Sequence, residues 1–409
     1  MKLNRKLSTA MTLAVAMGWA VSAGAIDFPA TGLTTAYTAD KNDKIPGPVA
    51  VPDDGTVEAG ATLSYTDNGD GTITDNNTGL TWEKKSDDGG LHDKDSAFPW
   101  SGNGSQDTVW DWLDDVNAEG GTGFAGYNDW RMPNLKELQS LVHFERSSPM
   151  TSTAFHNNCG AGATVLTGSC TLVEVYWTST TRAQYPTKAW SVSFTDGTLP
   201  TQDKTLALRV RAVRGGGSGP QAFPATGQLT AYTAEKNDGI PGPVSVPDDG
   251  TIQAGAPLSF TDNGNGTITD NNTGLVWEKK GDNGGLHDKD NPYWWSSTQE
   301  TIWDWLEDVN AEGGTGFAGS NDWRIPNARE ILSLMDFGKT WPVPAAFHTN
   351  CAAGVSVLTG SCTLQVSYWT STSRVFAIPA AWTLTTNGEL LAQLKSGPQR
   401  VRAVRGGTP

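Results

Sequence analysis

Three sets of residues carry side chains suited to chemistry, and each set occurs twice. The first is an acidic turn, Asp67, Asn68, Asp70 and Asp75, matched by Asp262, Asn263, Asn265 and Asp270. Carboxylates, amides and carbonyls are the oxygen ligands that calcium takes. The EF-hand spacing is absent, since setting Gly71 as the loop glycine leaves Thr66 and Asn77 where acidic ligands are required. A hairpin explains the same residues, because Asn, Asp and Gly accept the backbone of tight turns. Both readings, calcium ligands and hairpin, stand at this point.

The second set is His92, Asp93 and Asp95, repeated as His287, Asp288 and Asp290. One imidazole with two carboxylates can hold a metal or move a proton. The segment lies in a polar, glycine-rich stretch expected to be a long surface loop, with no second histidine close in sequence. The third set is aromatic. Of 17 tryptophans, most fall in strand-like or helix-like segments and belong to cores. Phe98, Trp100, Tyr293, Trp294, Trp295 and Trp341 instead lie in polar or proline-bearing stretches, where an exposed ring can stack on a sugar or anchor a partner; capping of the core beneath a loop is the competing reading. Nucleophilic catalysis has no support: there is no glycine-flanked serine elbow, and GGTGFAG lacks the Lys-Ser or Lys-Thr of a phosphate loop.

These sets come in pairs because the chain is a tandem duplication. FPATGLTTAYTADKNDKIPGPVAVPDDG from Phe28 returns as FPATGQLTAYTAEKNDGIPGPVSVPDDG from Phe223, and both copies close on RVRAVRGG. A period near 190 residues is far longer than solenoid or propeller repeats, so each copy should fold as a whole domain. The expected organisation is residues 1–25 as a signal peptide, 26–214 and 222–409 as domains, and 215–221 (GGGSGPQ) as a flexible tether that lets the domains move with some independence.

Within a copy, LSYTDNGDGTITDNNTGLTW reads as a β-meander. TVWDWLDDVNA, from Thr108, spaces Val109, Trp112, Leu113 and Val116 as an amphipathic helix. Asn134 with Glu137, and Asn327 with Glu330, form capping boxes that start a second helix. VEVYWTST, AWSVSF and LALRVRAVRG read as antiparallel strands, so the class is α+β.

Lys2, Arg5 and Lys6, an apolar run to Val21 and then Ala23, Gly24 and Ala25 have the form of a cleaved secretory signal. No other stretch is apolar enough to span a bilayer. Cleavage would remove three basic residues and no acidic one, moving the formal net charge from −15 to −18. That balance, with no basic stripe, argues against nucleic acid. In an exported chain, Cys159 with Cys170 and Cys351 with Cys362, ten residues between partners, are expected to pair as one loop disulfide per domain; zinc is the alternative, although the spacing lacks the close pairs of common zinc motifs.

DNGDGTITDNNTGLTW, NDWRMPNLKEL, YWTST, AWSVSF and RVRAVRGG together resemble the bacterial Lcl C-terminal domain family, a domain of unknown function, over nearly the full length of both copies. RMPN leading into a helix and the closing VRAVRGG are also similar to elements of formylglycine-generating enzymes, whose fold is related to C-type lectins. The resemblance implies two C-type-lectin-like domains, each with two helices packed on a small twisted antiparallel sheet. Formylglycine-generating enzymes work through a copper-binding cysteine pair, whereas the cysteines here are read as loop disulfides, so no catalytic residue is carried over. The expected function is an exported, non-enzymatic binding or adhesion protein recognising a glycan or cell-surface partner. Metal-assisted hydrolysis through His92 or His287, and a structural role in surface assembly, are the alternatives. The sequence leaves the oligomeric state open.

Overall fold

The computed structural model describes residues 28–42, 47–216, 223–239 and 242–407. The expected signal peptide, and residues 217–221 of the expected tether, lie outside them. Among the described residues no helix is long and apolar enough to cross a membrane.

Each copy mixes a majority of sheet with a few short helices. In the first, the expected meander forms Tyr65–Asp67, Thr72–Asp75 and Thr81–Glu83, and Val213–Arg214 closes this four-stranded sheet against Thr81–Glu83. A second sheet runs in the order Ala97–Pro99, Ala207–Arg209, Val175–Thr181, Lys188–Ser193, Thr201–Asp203. The second copy repeats the four-stranded sheet, and its long strands Ser367–Ser373, Ala380–Thr385 and Leu390–Leu394 form a three-stranded one.

Six α-helices are present among the described residues: α1 (Asp54–Val57), α2 (Val109–Ala118), α3 (Leu135–Gln139), α4 (Asp249–Ile252), α5 (Ile302–Ala311) and α6 (Ala328–Ser333). Helix α2 starts at Thr108 because that side chain and Asp111 cap each other's backbone, and it buries Val109, Trp112, Leu113 and Val116. Helix α3 starts at Asn134 through the reciprocal bonds with Glu137. Such caps satisfy amides that the first turn leaves without partners.

The two copies are not separate bodies on a tether. The amino-terminal arm of each lies on the other. Tyr37, Ala39 and Val51 pack into the apolar core of the second copy with Trp295, Trp303 and Trp369, while Tyr232, Ala234 and Val246 pack with Trp100, Trp110 and Trp177 of the first. Hydrogen bonds follow the same exchange. Thr372 donates to Asp54 (2.7 Å) and Thr180 to Asp249 (2.6 Å); Asn327 donates to Ala59 O (3.1 Å) and Asn134 to Ala254 O (3.3 Å). The contacts are reciprocal, as an approximate two-fold relation requires.

Near that pseudo-axis the Phe28 and Phe223 rings stack with centroids 5.6 Å apart. The Lys136 ammonium donates to Ser333 O (2.8 Å) and Ala225 O (2.9 Å), and Arg329 reaches Ser140 O (2.6 Å) from the other side. Phe144 meets Trp382 edge-on at 5.5 Å and Phe337 meets Trp190 at 5.3 Å, so one apolar core runs through both copies. The Asn134 and Asn327 caps and the apolar core at the junction draw partners from the other copy, which is at odds with the expected loose tether.

Candidate functional site

The His-Asp-Asp segment does not assemble as its spacing suggested. His92 is buried, and its ring leaves the loop to sit between two glutamates distant in sequence. Its Nδ1 lies 2.7 Å from Glu83 Oε1 and its Nε2 lies 3.1 Å from Glu119 Oε2. Glu83 ends a strand of the four-stranded sheet and is fully buried; it also accepts from Lys85 Nζ (2.9 Å) and from the backbone N–H of Ala212 (2.7 Å). Burial opposes ionisation of Glu83, but Lys85 and His92 outweigh it and hold the carboxyl at about 2. Burial likewise opposes the charged imidazole, and the Glu83 bond overrides it, raising the His92 pKa. An imidazole bracketed by two carboxylates is a stable ion-pair member rather than a free base.

Asp93 turns away from His92. Its carboxylate accepts from Gly89 N (2.7 Å) and Asp95 N (2.8 Å), which shapes the loop, and Asp95 pairs with Lys94. The second copy repeats this with Glu278, His287 and Glu312. There Asp282, Asp288 and Asp290 each bring an oxygen within 4.8 Å of the others, but Lys289 already bridges Asp282 (3.0 Å) and Asp290 (2.6 Å).

The acidic turns are hairpins whose side chains bond to their own backbone. Asp67 accepts from Gly69 N (3.0 Å) and Lys84 Nζ (2.9 Å); Asp70 accepts from Thr72 N (3.0 Å) and its hydroxyl (2.6 Å); Asn68 bonds Thr72 (2.8 Å). Asp75 points to the other end of the meander, accepting from Asn77 N (3.0 Å). Asp262, Asn263 and Asp270 repeat these bonds. The oxygens are spent on different backbone groups and do not converge on one point.

The loop aromatics need correction as exposed rings. Trp100 and Trp295 are fully buried and Tyr293 nearly so. Their polar surroundings misled because the loop folds back under α2 and α5: Trp100 Nε1 donates to Thr178 O (3.1 Å), and Trp110 Nε1 to Trp100 O (2.7 Å). Lys204 Nζ sits 3.5 Å from the Trp100 ring centroid, with Tyr232 of the other copy's arm at 5.1 Å. Phe98, Trp294 and Trp341 are half-buried, and Trp341 packs against His348 with centroids 4.7 Å apart.

Each copy also presents to solvent the tip of its disulfide loop, among other exposed apolar side chains such as Leu229 and Ile378. Cys159 bonds Cys170, and Cys351 bonds Cys362. Arg211 ties the loop base to the sheet, donating to Glu83 O (2.7 Å) and Cys170 O (2.9 Å), and the disulfide loop is tied to the histidine loop by Gly162 N donating to Asp87 O (2.6 Å) and Asp87 N to Ala163 O (2.7 Å). At the apex, Thr164 N donates to Thr167 Oγ1 (2.9 Å), and Ser356 N to Thr359 Oγ1 (3.2 Å). The turn between them holds out Leu166 in one copy and Leu358 in the other, each 62% exposed.

The family model of the Lcl C-terminal domain matches residues 71–214 and again 266–405. The chain belongs to the Lcl C-terminal domain family. No curated protein matches it. Both matched Lcl C-terminal domains begin inside the meander, so the exchanged arms lie ahead of them.

Sequence reasoning missed three things, two inside the Lcl C-terminal domains and one in the arms ahead of them. Glu83 and Glu119 carried no local signal, since they stand 9 and 27 residues from His92. Leu166 and Leu358 were not singled out between the paired cysteines. Asp54 and Asp249, in the repeated PDDG, were not singled out. Both are fully buried, and burial raises each pKa to about 7 despite the threonine hydroxyls that bond them.

Proposed function

We propose that this chain is an exported, non-enzymatic binding protein with two C-type-lectin-like units, engaging a protein partner on a surface through Leu166 and Leu358. The observation that carries the reading is the pair of exposed leucines on pre-ordered, disulfide-closed tips. An apolar side chain held in water by a rigid loop is a cost to the free protein that contact with a partner offsets, and the ordering is already done. Aliphatic tips favour a protein face over a sugar, which is gripped by stacked rings and polar groups; the rings offered for that role are mostly buried. The lectin-like assignment rests on short helices against small sheets that are antiparallel apart from the pairing of Ala207–Arg209 with Val175–Thr181. Export rests on the two disulfides, which persist in oxidising compartments. Two linked tips also raise the effective concentration of the second contact once the first forms.

The test is binding of the purified protein to intact bacterial and host cells and to glycan arrays, alongside L166D/L358D. Cell binding that falls at least tenfold in the double variant, with an unchanged melting temperature, is the expected result. Equal binding by both proteins, binding to glycans alone, or no binding to any surface overturns the reading.

A further inference from the structure

Two neighbouring core positions differ between the domains in a way that changes how the space is filled. In the first, Phe194 N donates to Glu174 O (2.9 Å); in the second, Thr386 N donates to Val366 O (3.3 Å). The neighbouring tyrosines Tyr176 and Tyr368 stand at the same spacing, so Thr386 occupies the position of Phe194. Likewise His143 N donates to Met150 O and Asp336 N to Pro342 O, both at 3.0 Å, which sets Pro342 where Met150 stands. In the first domain the Phe194 ring fills its site, edge-on to Tyr176 at 5.2 Å and 1% exposed, and Met150 is buried beside it.

In the second domain both bulky side chains are missing and the surroundings have not closed over the space. A cleft open to solvent is lined by Leu334, Met335, Phe347, Tyr368, Leu384 and Thr386. The wall is almost wholly apolar. Tyr368 is held in place by accepting from Leu364 N (3.0 Å), and Arg402 is fixed by Cys362 O (3.1 Å) and Thr363 Oγ1 (2.9 Å), so the site is pre-formed rather than collapsed. An apolar cleft with fixed walls leaves its lining against water, and an apolar guest that displaces that water removes apolar surface from solvent.

We propose that this cleft binds one uncharged phenyl-type ring, placed edge-on to Tyr368 as Phe194 is to Tyr176. The sister domain supplies the template: the matching tyrosine and a benzene ring already seated beside it. The ring comes as a free aromatic molecule or as a phenylalanine side chain of a bound peptide, which share this chemistry.

Toluene titrated into the full chain, followed by saturation-transfer NMR and by melting temperature, tests it. One saturable site is expected, with binding weakened at least tenfold in T386F, where the introduced ring takes the space. A phenylalanine-bearing peptide that competes with toluene assigns the peptide source, and one that does not assigns the free molecule. Absence of saturable toluene binding, or equal binding by T386F, overturns the proposal. If T386F fails to fold, T386L serves, with the same expected direction. L166D/L358D keeps toluene binding, so this result stands apart from the fate of the leucine tips.

Discussion

Asp54 and Asp249 show how much a single side chain can contribute here. Each is a buried carboxyl between two threonine hydroxyls, Thr31 and Thr372 for one, Thr226 and Thr180 for the other. Burial lifts both to about 7 from an ordinary 3.8. A raised acid holds its proton longer in the folded chain than in the unfolded one, so stability is fully present below about pH 4 and is lost as pH rises towards 7. The loss is at most on the order of 4 kcal/mol per aspartate, from about 1.4 kcal/mol per pKa unit. Glu83 acts in the opposite direction, losing its contribution as pH falls from the ordinary carboxyl range towards 2. D54N/D249N should therefore melt higher than the parent at pH 8 and no higher at pH 4.5, by scanning calorimetry. Parallel pH profiles for the two proteins would contradict this. At this scale the caps were legible, since Asn134 and Glu137 sit three residues apart and bond locally. The environment of His92 was not, because its partners reach it only through the folded sheet and the end of α2.

Among the elements, the disulfide loop combines the most constraints in the fewest residues. Its cysteines were readable from spacing and composition. Its function as a rigid pedestal was not, since rigidity comes from Arg211, Asp87 and Gly162 as well as from the covalent bond. C159S/C170S should destabilise the chain by about 2–3 kcal/mol, the entropy of closing a short loop, measured by urea titration under non-reducing conditions. It should also speed amide exchange between Ala163 and Gly168 relative to the intact second loop. Exchange that stays as slow as in residues 355–360 would show that hydrogen bonds alone hold the tip. The meander, by contrast, was legible in full because its pattern of Asn, Asp and Gly is local physics. The aromatic loop was misread because polar neighbours say nothing about where the ring between them goes.

For the molecule as a whole, duplication was visible in the sequence and exchange was not. The arms differ at few positions, so each is chemically suited to either body, and only the three-dimensional path decides which body it meets. A protease site inserted within residues 217–221 should, after cleavage, yield two fragments that migrate as one species in size-exclusion chromatography and melt in one transition. Each half would keep its arm buried in the other, alongside the Phe144–Trp382 and Trp190–Phe337 contacts. Fragments that part without denaturant would refute the exchange.

The crossing of the arms also bears on ancestry. If a single-copy chain seated its arm on a second molecule, as each arm here sits on the other copy, it would form a pair of identical chains. Joining two copies in one reading frame fixes that pairing at every concentration and releases the halves from identity. A symmetric pair must alter both its cores whenever it alters one, whereas the fused chain could replace Phe194's counterpart with Thr386 and leave the other half intact. Division of labour between twins begins with that freedom.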